Sequence, residues 1–238
     1  MLHQWVVPPP HGVPDAYFTN LQDGAKVEAP FVLKFGLTQR GLVPAKHWAG
    51  RAGHHHLLVD QALPIDLKKP LPFNENYVHF GKGQMESVVD LPPGEHTVRL
   101  LLADGDHVVY FIYSKELKFT VTKRNADVDK KALVGPPRVE LLSPANKAVV
   151  SKMPMRVQFH ASGLNVASVG GKAAETGHFR LTLERTGQKP ELLDFVGGQT
   201  EVWLDLPKGE YSARLDMASN ASPGKSLTRV EPASFTVP

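Results

Sequence analysis

The chain contains no cysteine, which removes thiolate nucleophiles, disulfide staples and sulfur-ligated metal sites together. Any transition-metal site must therefore use imidazole and carboxylate ligands. No apolar run approaches the roughly 18–20 residues of a membrane-spanning helix. The opening MLHQWVVPPPHGVP lacks a charged start followed by a long apolar segment, so it does not read as an export leader. Charge of one sign is also scarce. Lys and Arg number 27 against 24 acidic residues, for a net charge of +3, and the basic residues form no stripe interleaved with aromatics. Nucleic acid is therefore not expected as a partner. Stretches with a capped 3.6-residue apolar period are lacking too, so helix should be a minor component.

Turn formers are abundant, with 20 glycines and 20 prolines, as a turn-rich all-β chain would have. The length of 238 residues suits two domains of about 100 residues, each with its own core. Self-comparison supports that division. DLPPGEHTVRLLLAD from Asp90 matches DLPKGEYSARLDMAS from Asp205, and GKGQMESVVDL from Gly81 matches VGGQTEVWLDL from Val196. Upstream, AGHHHLLVD matches TGHFRLTLE, and the segment from Ala16 corresponds to that from Val139. Four blocks in one order mean two repeats of one domain. The expected organisation is a Pro-rich arm over 1–14, a His-rich sandwich over 15–123, a charged linker over 124–136 and a His-poor repeat over 137–238. FVLKFGL, HHHLLVD, MESVVDL, HTVRLLLA and ELKFTVT are the candidate strands of the first repeat. Five to seven strands in about 110 residues predict tandem immunoglobulin-like antiparallel β-sandwiches.

The run GHHHLLVD carries the chemistry. In a strand alternate side chains face opposite sides, so His54, His56 and Asp60 share one side while His55, Leu57 and Val59 share the other. The second repeat has Phe179, Leu181 and Leu183 at the latter positions, which marks the core face and makes His55 a buried ring with one satisfied hydrogen bond. His54 and His56 emerge on the polar side, about 6.5–7 Å apart along the strand, and two imidazoles so spaced can converge on one ion.

Seven of the 11 histidines fall in the first repeat: His47, His54, His55, His56, His79, His96 and His107. The second repeat places Arg180, Asp194 and Tyr211 opposite His56, His79 and His96, and Ser222 near His107. His96 stands where sandwich domains often place a corner tyrosine and reads as a corner residue. His107 follows an Ala-Asp-Gly-Asp turn and should be exposed on a loop, and His79 lies near a strand end. His54, His56, His79 and His107 are the candidate metal ligands, with Asp60, Asp104 and Asp106 as possible oxygen donors or supports.

The series GHHHLLVD, HFGKGQMES and LPPGEHTVRLLLADGDHV resembles a family of small bacterial exported domains of unknown function. The last block is also distantly similar to the CopC-type copper-resistance sandwich, whose corresponding loop carries a copper ligand. These resemblances imply an extracytoplasmic protein, periplasmic or secreted, that takes Cu(II) or Zn(II). The alternative is a non-catalytic interaction subunit of a periplasmic or envelope complex. An enzyme is not expected. No nucleophile elbow, P-loop or dinucleotide fingerprint is present. Gly81-Lys82-Gly83 reads as a hairpin turn, and Glu86 and Glu201, kept in both repeats, read as structural or surface residues.

Overall fold

The computed structural model describes residues 3–38, 40–63, 66–170, 176–222 and 224–238; residues 1 and 2 of the expected arm lie outside them. The strands are β1 (Val6–Val7), β2 (Ala16–Phe18), β3 (Ala25–Ala29), β4 (Phe31–Leu37), β5 (His54–Val59), β6 (Tyr77–His79), β7 (Glu86–Val89), β8 (Gly94–Ala103), β9 (Val109–Tyr113) and β10 (Leu117–Arg124). After the short helix α1 (Lys130–Val134) come β11 (Arg138–Ser143), β12 (Ala148–Val149), β13 (Met155–Ser162), β14 (Asn165–Val166), β15 (Thr176–Arg185), β16 (Glu191–Asp194), β17 (Glu201–Leu204), β18 (Gly209–Ser219), β19 (Ser226–Arg229) and β20 (Ala233–Val237).

Each repeat is a sandwich of two sheets. In the first, β2-β4-β7 faces β3-β10-β8-β5-β6, and in the second β11-β13-β17 faces β12-β20-β18-β15 with β14 and β16 on β15. The ladders are antiparallel except that β3 runs parallel to β10, as β12 does to β20, and β14 to β15. This is immunoglobulin-like topology. Alternation explains the packing: Leu33, Phe35 and Leu37 of β4 are fully buried, as are Leu100 and Leu102 of β8. There are more strands than the five to seven expected, because short edge strands such as β3 and β6 carry too little apolar pattern to be read, while the apolar β9, Val-Tyr-Phe-Ile-Tyr, adds a further edge strand. β8 is long enough to serve two partners besides β5. Its first half pairs with β10, while Leu101 and Ala103 pair with β9.

The two sandwiches share one continuous apolar core and meet in a nearly two-fold arrangement. The Leu42 N–H donates to the Gly198 carbonyl at 2.9 Å, and the equivalent Val166 N–H donates to the equivalent Gly83 carbonyl at 2.9 Å. Gly81-Lys82-Gly83 is therefore not a hairpin turn. It carries the chain from β6 in one sheet to β7 in the other, and a Cβ on Gly83 would collide with the Val166 carbonyl. Glu86 and Glu201 flank this seam and are not on the surface: Glu201 is buried and Glu86 is half-buried, with its side chain only 8% exposed. Glu86 accepts from Ser162 Oγ at 2.8 Å and the Gly163 N–H at 3.1 Å, and pairs with His160 Nε2 at 3.0 Å. Glu201 accepts from Tyr17 at 2.6 Å and Arg156 Nε at 2.8 Å. Burial opposes ionisation of Glu86, but the bonds from His160 and Ser162, the His160 charge and the Gly163 amide hold its pKa below the ordinary glutamate value.

The N-terminal arm crosses to the second repeat, where Val6 and Val7 of β1 pair with Leu204 and Trp203 of β17. It thereby covers a sheet edge that would otherwise expose unpaired backbone groups. α1 lies between the repeats with no buried residue, capped by Asp129, whose side chain accepts from the Lys131 N–H.

Candidate metal centre

β5 places His54 opposite Ala103 of β8, and His56 opposite both Leu101 of β8 and His79 of β6. The fourth ring arrives from the turn after β8. Asp104 Oδ1 accepts the N–H groups of Asp106 and Val108, each at 2.9 Å, and His107 adopts φ 65°, a left-handed conformation in which histidine is more common than most side chains. That turn folds His107 back over β5.

All four expected ligands come together. One ligand nitrogen from each of His54, His56, His79 and His107 lies within 4.8 Å of every other. His54 Nε2 is 3.1 Å from His107 Nδ1 and 3.1 Å from His56 Nε2. One nitrogen facing two others has a single hydrogen or a single lone pair to offer, so the rings cannot satisfy one another. A tetrahedral ion with bonds of about 2.0–2.1 Å would hold its nitrogens roughly 3.3–3.4 Å apart, close to the two 3.1 Å separations and within the 4.8 Å that bounds the whole set. Further, buried nitrogens of three of the rings, His54 Nδ1, His56 Nδ1 and His79 Nε2, have no hydrogen-bond partner among the described residues. A donor set of four imidazoles suits Zn(II) and Cu(II), and these residues fit such an ion.

His54 and His56 are fully buried, although they lie on the face that alternation marked as polar. Residues 66–76, between β5 and β6, return across them. The Leu71 N–H donates to the His107 carbonyl at 3.1 Å, and the Phe73 ring lies 5.1 Å from His79 and 4.8 Å from His107. His107 is half-buried under this cover, not exposed as its turn suggested. Burial, then the nearby His79 and His107, lower the His54 pKa to about 3. Burial and the neighbouring histidines, His54 foremost, lower that of His56 to about 2. Burial, then His107, lowers His79. Neutral rings keep the lone pairs that coordination needs.

The other polar candidates have different tasks. His55 is buried on the core face as alignment with Phe179 implied, with its ring 4.8 Å from Phe35, but neither ring nitrogen has a partner, against the one satisfied bond expected. Among the described residues no polar group reaches either nitrogen. His96 Nε2 bonds the Pro92 carbonyl at 2.9 Å, as the Tyr211 hydroxyl bonds that of Pro207 at 2.6 Å, so His96 is a corner residue. Asp60 is taken by His96 at 2.7 Å and the Thr97 N–H at 2.8 Å and does not support the cluster. Asp104 shapes the His107 turn, Asp106 is exposed, and His47 bonds the Ala45 carbonyl at 3.0 Å.

In the second repeat Arg180 pairs across to Asp194 in the register of His56 and His79. Arg180 meets Asp216 at 2.9 Å, and His178 meets Asp194 at 2.9 Å and Asn220 at 2.6 Å. The Arg180–Asp216 ion pair and the hydrogen bonds of His178 thus fill the equivalent position. Two features escaped sequence reading: the Phe73 cover, which had no signal, and the buried seam carboxylates, whose recurrence in both repeats was the available signal.

No curated protein matches this chain. Among solved structures, it is similar to the fibronectin(III)-like modules of Clostridium thermocellum CbhA at 11% identity, over 93% of this chain and 92% of that one, with a TM-score of 0.28. A two-domain fibronectin type-III segment of chicken tenascin aligns at 13% identity over 93% and 95%, with a TM-score of 0.22. Dimeric latent PorU from Porphyromonas gingivalis aligns at 14% over 93% of this chain and 20% of its own, with a TM-score of 0.27. A family model described as a domain of unknown function, DUF4399, matches residues 33–122 and again residues 157–236. The chain belongs to that family and carries its domain twice, with the histidine cluster confined to the first copy.

Proposed function

We propose that the protein is an extracytoplasmic, non-catalytic metal-binding protein that holds one Zn(II) or Cu(II) ion through His54, His56, His79 and His107. The observation that carries this reading is the convergence of four imidazole nitrogens within 4.8 Å under a covering loop. A thiol-free site suits an oxidising compartment, since no ligand can be lost to disulfide formation. Four protein ligands close the shell of a tetrahedral ion, whereas catalytic zinc sites keep one position for water or substrate. Binding or carriage of the ion is then the role, with the first repeat (15–123) as the working domain and the second (137–238), joined through 124–136, as its structural support.

A second reading, a subunit of a periplasmic or envelope complex, is favoured by one further observation. The edge strand β9 exposes Phe111 (79%) and Tyr113 (42%), while its counterpart β19 reads Ser-Leu-Thr-Arg.

The deciding experiment is calorimetric titration of metal-free protein with Zn(II) and with Cu(II), alongside the His54→Ala/His56→Ala variant. Binding of one ion per chain, abolished in the variant, is the expected result. Wild-type heats equal to those of a variant that is still folded would overturn the metal reading and leave the interaction role.

A further inference from the structure

Beside the seam between the repeats is a polar cavity of about 380 Å³, lined by Arg40, Gly41, Ala49, Arg51, Ala52 and Gly197. It is distinct from the histidine cluster and shares no residue with it. Arg99, Arg124, Arg138, Arg156 and Arg180 each have a carboxylate partner. Arg40 and Arg51 have none among the described residues, as is also true of Arg185, Arg214 and Arg229, but only Arg40 and Arg51 of these line this cavity, whose lining residues include no acidic side chain. Two arginines without an ion-pair partner thus line one concavity, and the Asp104 carboxylate, which like them acts on the Tyr110 hydroxyl, lies outside its lining.

We infer that this cavity is an oxyanion site for a phosphate or sulfate group, held between Arg40 and Arg51. A single guanidinium fork is matched by the two oxygens of a carboxylate. Two forks from separate segments are better matched by a tetrahedral anion, which offers oxygens in more than one plane. The remaining walls are glycine and alanine, which leave room for an anion to approach the forks and the backbone. Tyr110 stands at the margin, its hydroxyl reaching the Ala52 carbonyl only at 3.4 Å. That is well beyond the usual O–H···O distance of about 2.7–2.8 Å, so the hydroxyl is free to turn to a better acceptor. A free phosphate ion and the phosphate of a monoester share this chemistry.

The test is calorimetric titration of the full chain with inorganic phosphate, sulfate, glycerol phosphate and acetate, at constant ionic strength set with sodium chloride. Phosphate and sulfate are expected to bind saturably and acetate more weakly. Arg40→Ala/Arg51→Ala should lower phosphate affinity by about tenfold or more, and Arg40→Lys/Arg51→Lys should recover part of the loss, since charge returns without the planar fork. Binding of inorganic phosphate alone would assign the free ion, and equal or tighter binding of glycerol phosphate would assign a monoester group. The Arg51→Ala single variant, an exposed change, serves if the double alanine variant fails to fold. No saturable phosphate heat in the wild type, or equal affinity in the folded variants, would overturn the assignment.

Discussion

His55 occupies a position that the second repeat fills with Phe179, and each ring meets the matching phenylalanine of the opposite sheet, Phe35 or Phe159. Both His55 nitrogens are buried without partners, and each such group costs free energy because its bond to water is not replaced. His55→Phe is therefore expected to stabilise the protein by about 1–3 kcal/mol, measured by urea unfolding at pH 7, while metal uptake is unchanged. A pH dependence accompanies this. The unfolded chain protonates this ring near pH 6.5, whereas burial, with a smaller contribution from His54, holds the folded pKa to about 3. The unfolded state thus binds more protons between those values. Stability is complete above about pH 6.5 and declines as pH falls toward 3, and the His55→Phe variant should show a shallower decline. An unchanged acid limb would mean that His55 is not held neutral.

Between β6 and β7, the element that matters most is a turn. Gly81 lies against the His79 ring, and a Cβ there would collide with its Cε1 and Nε2 atoms. Gly81 has no left-handed φ in this structure, so alanine suits its backbone and the conflict falls chiefly on the imidazole, with a lesser one at the Ala45 Cβ 3.1 Å away. Gly81→Ala is expected to move His79 out of the cluster and weaken Zn(II) binding by about tenfold or more, the scale seen when a metal ligand loses its orientation. The melting temperature of the metal-free protein should shift by only a few degrees. Calorimetry and a thermal melt measure the two effects separately. Wild-type affinity in this variant would remove His79 from the ligand set.

Across the whole molecule, the seam of paired glycine loops, the buried carboxylates of Glu86 and Glu201 and the shared apolar core tie the two repeats into one body. The metal-free chain should therefore unfold in a single transition, with calorimetric and van't Hoff enthalpies equal. Gly41→Ala, whose Cβ would overlap the Gly197 carbonyl across the seam, should split that transition in two. A two-step melt of the wild-type chain would show that the repeats are only loosely joined. Much of this architecture was legible in advance. The duplicated LPxGE and GQxE blocks announced two copies, and alternation assigned His55 to the core and His54 and His56 to one face. The Asp-Gly-Asp turn signature located His107, and aligning the repeats separated the His-rich copy from its ion-paired counterpart. Period and spacing along one chain determine such things because backbone geometry makes them local. Whether four imidazoles meet, how deeply residues 66–76 bury them, where the N-terminal arm pairs, and that recurrent glutamates form a seam depend on contacts between residues far apart in sequence. Only the tertiary structure decided those, because burial and convergence are properties of chain crossings that no single strand encodes.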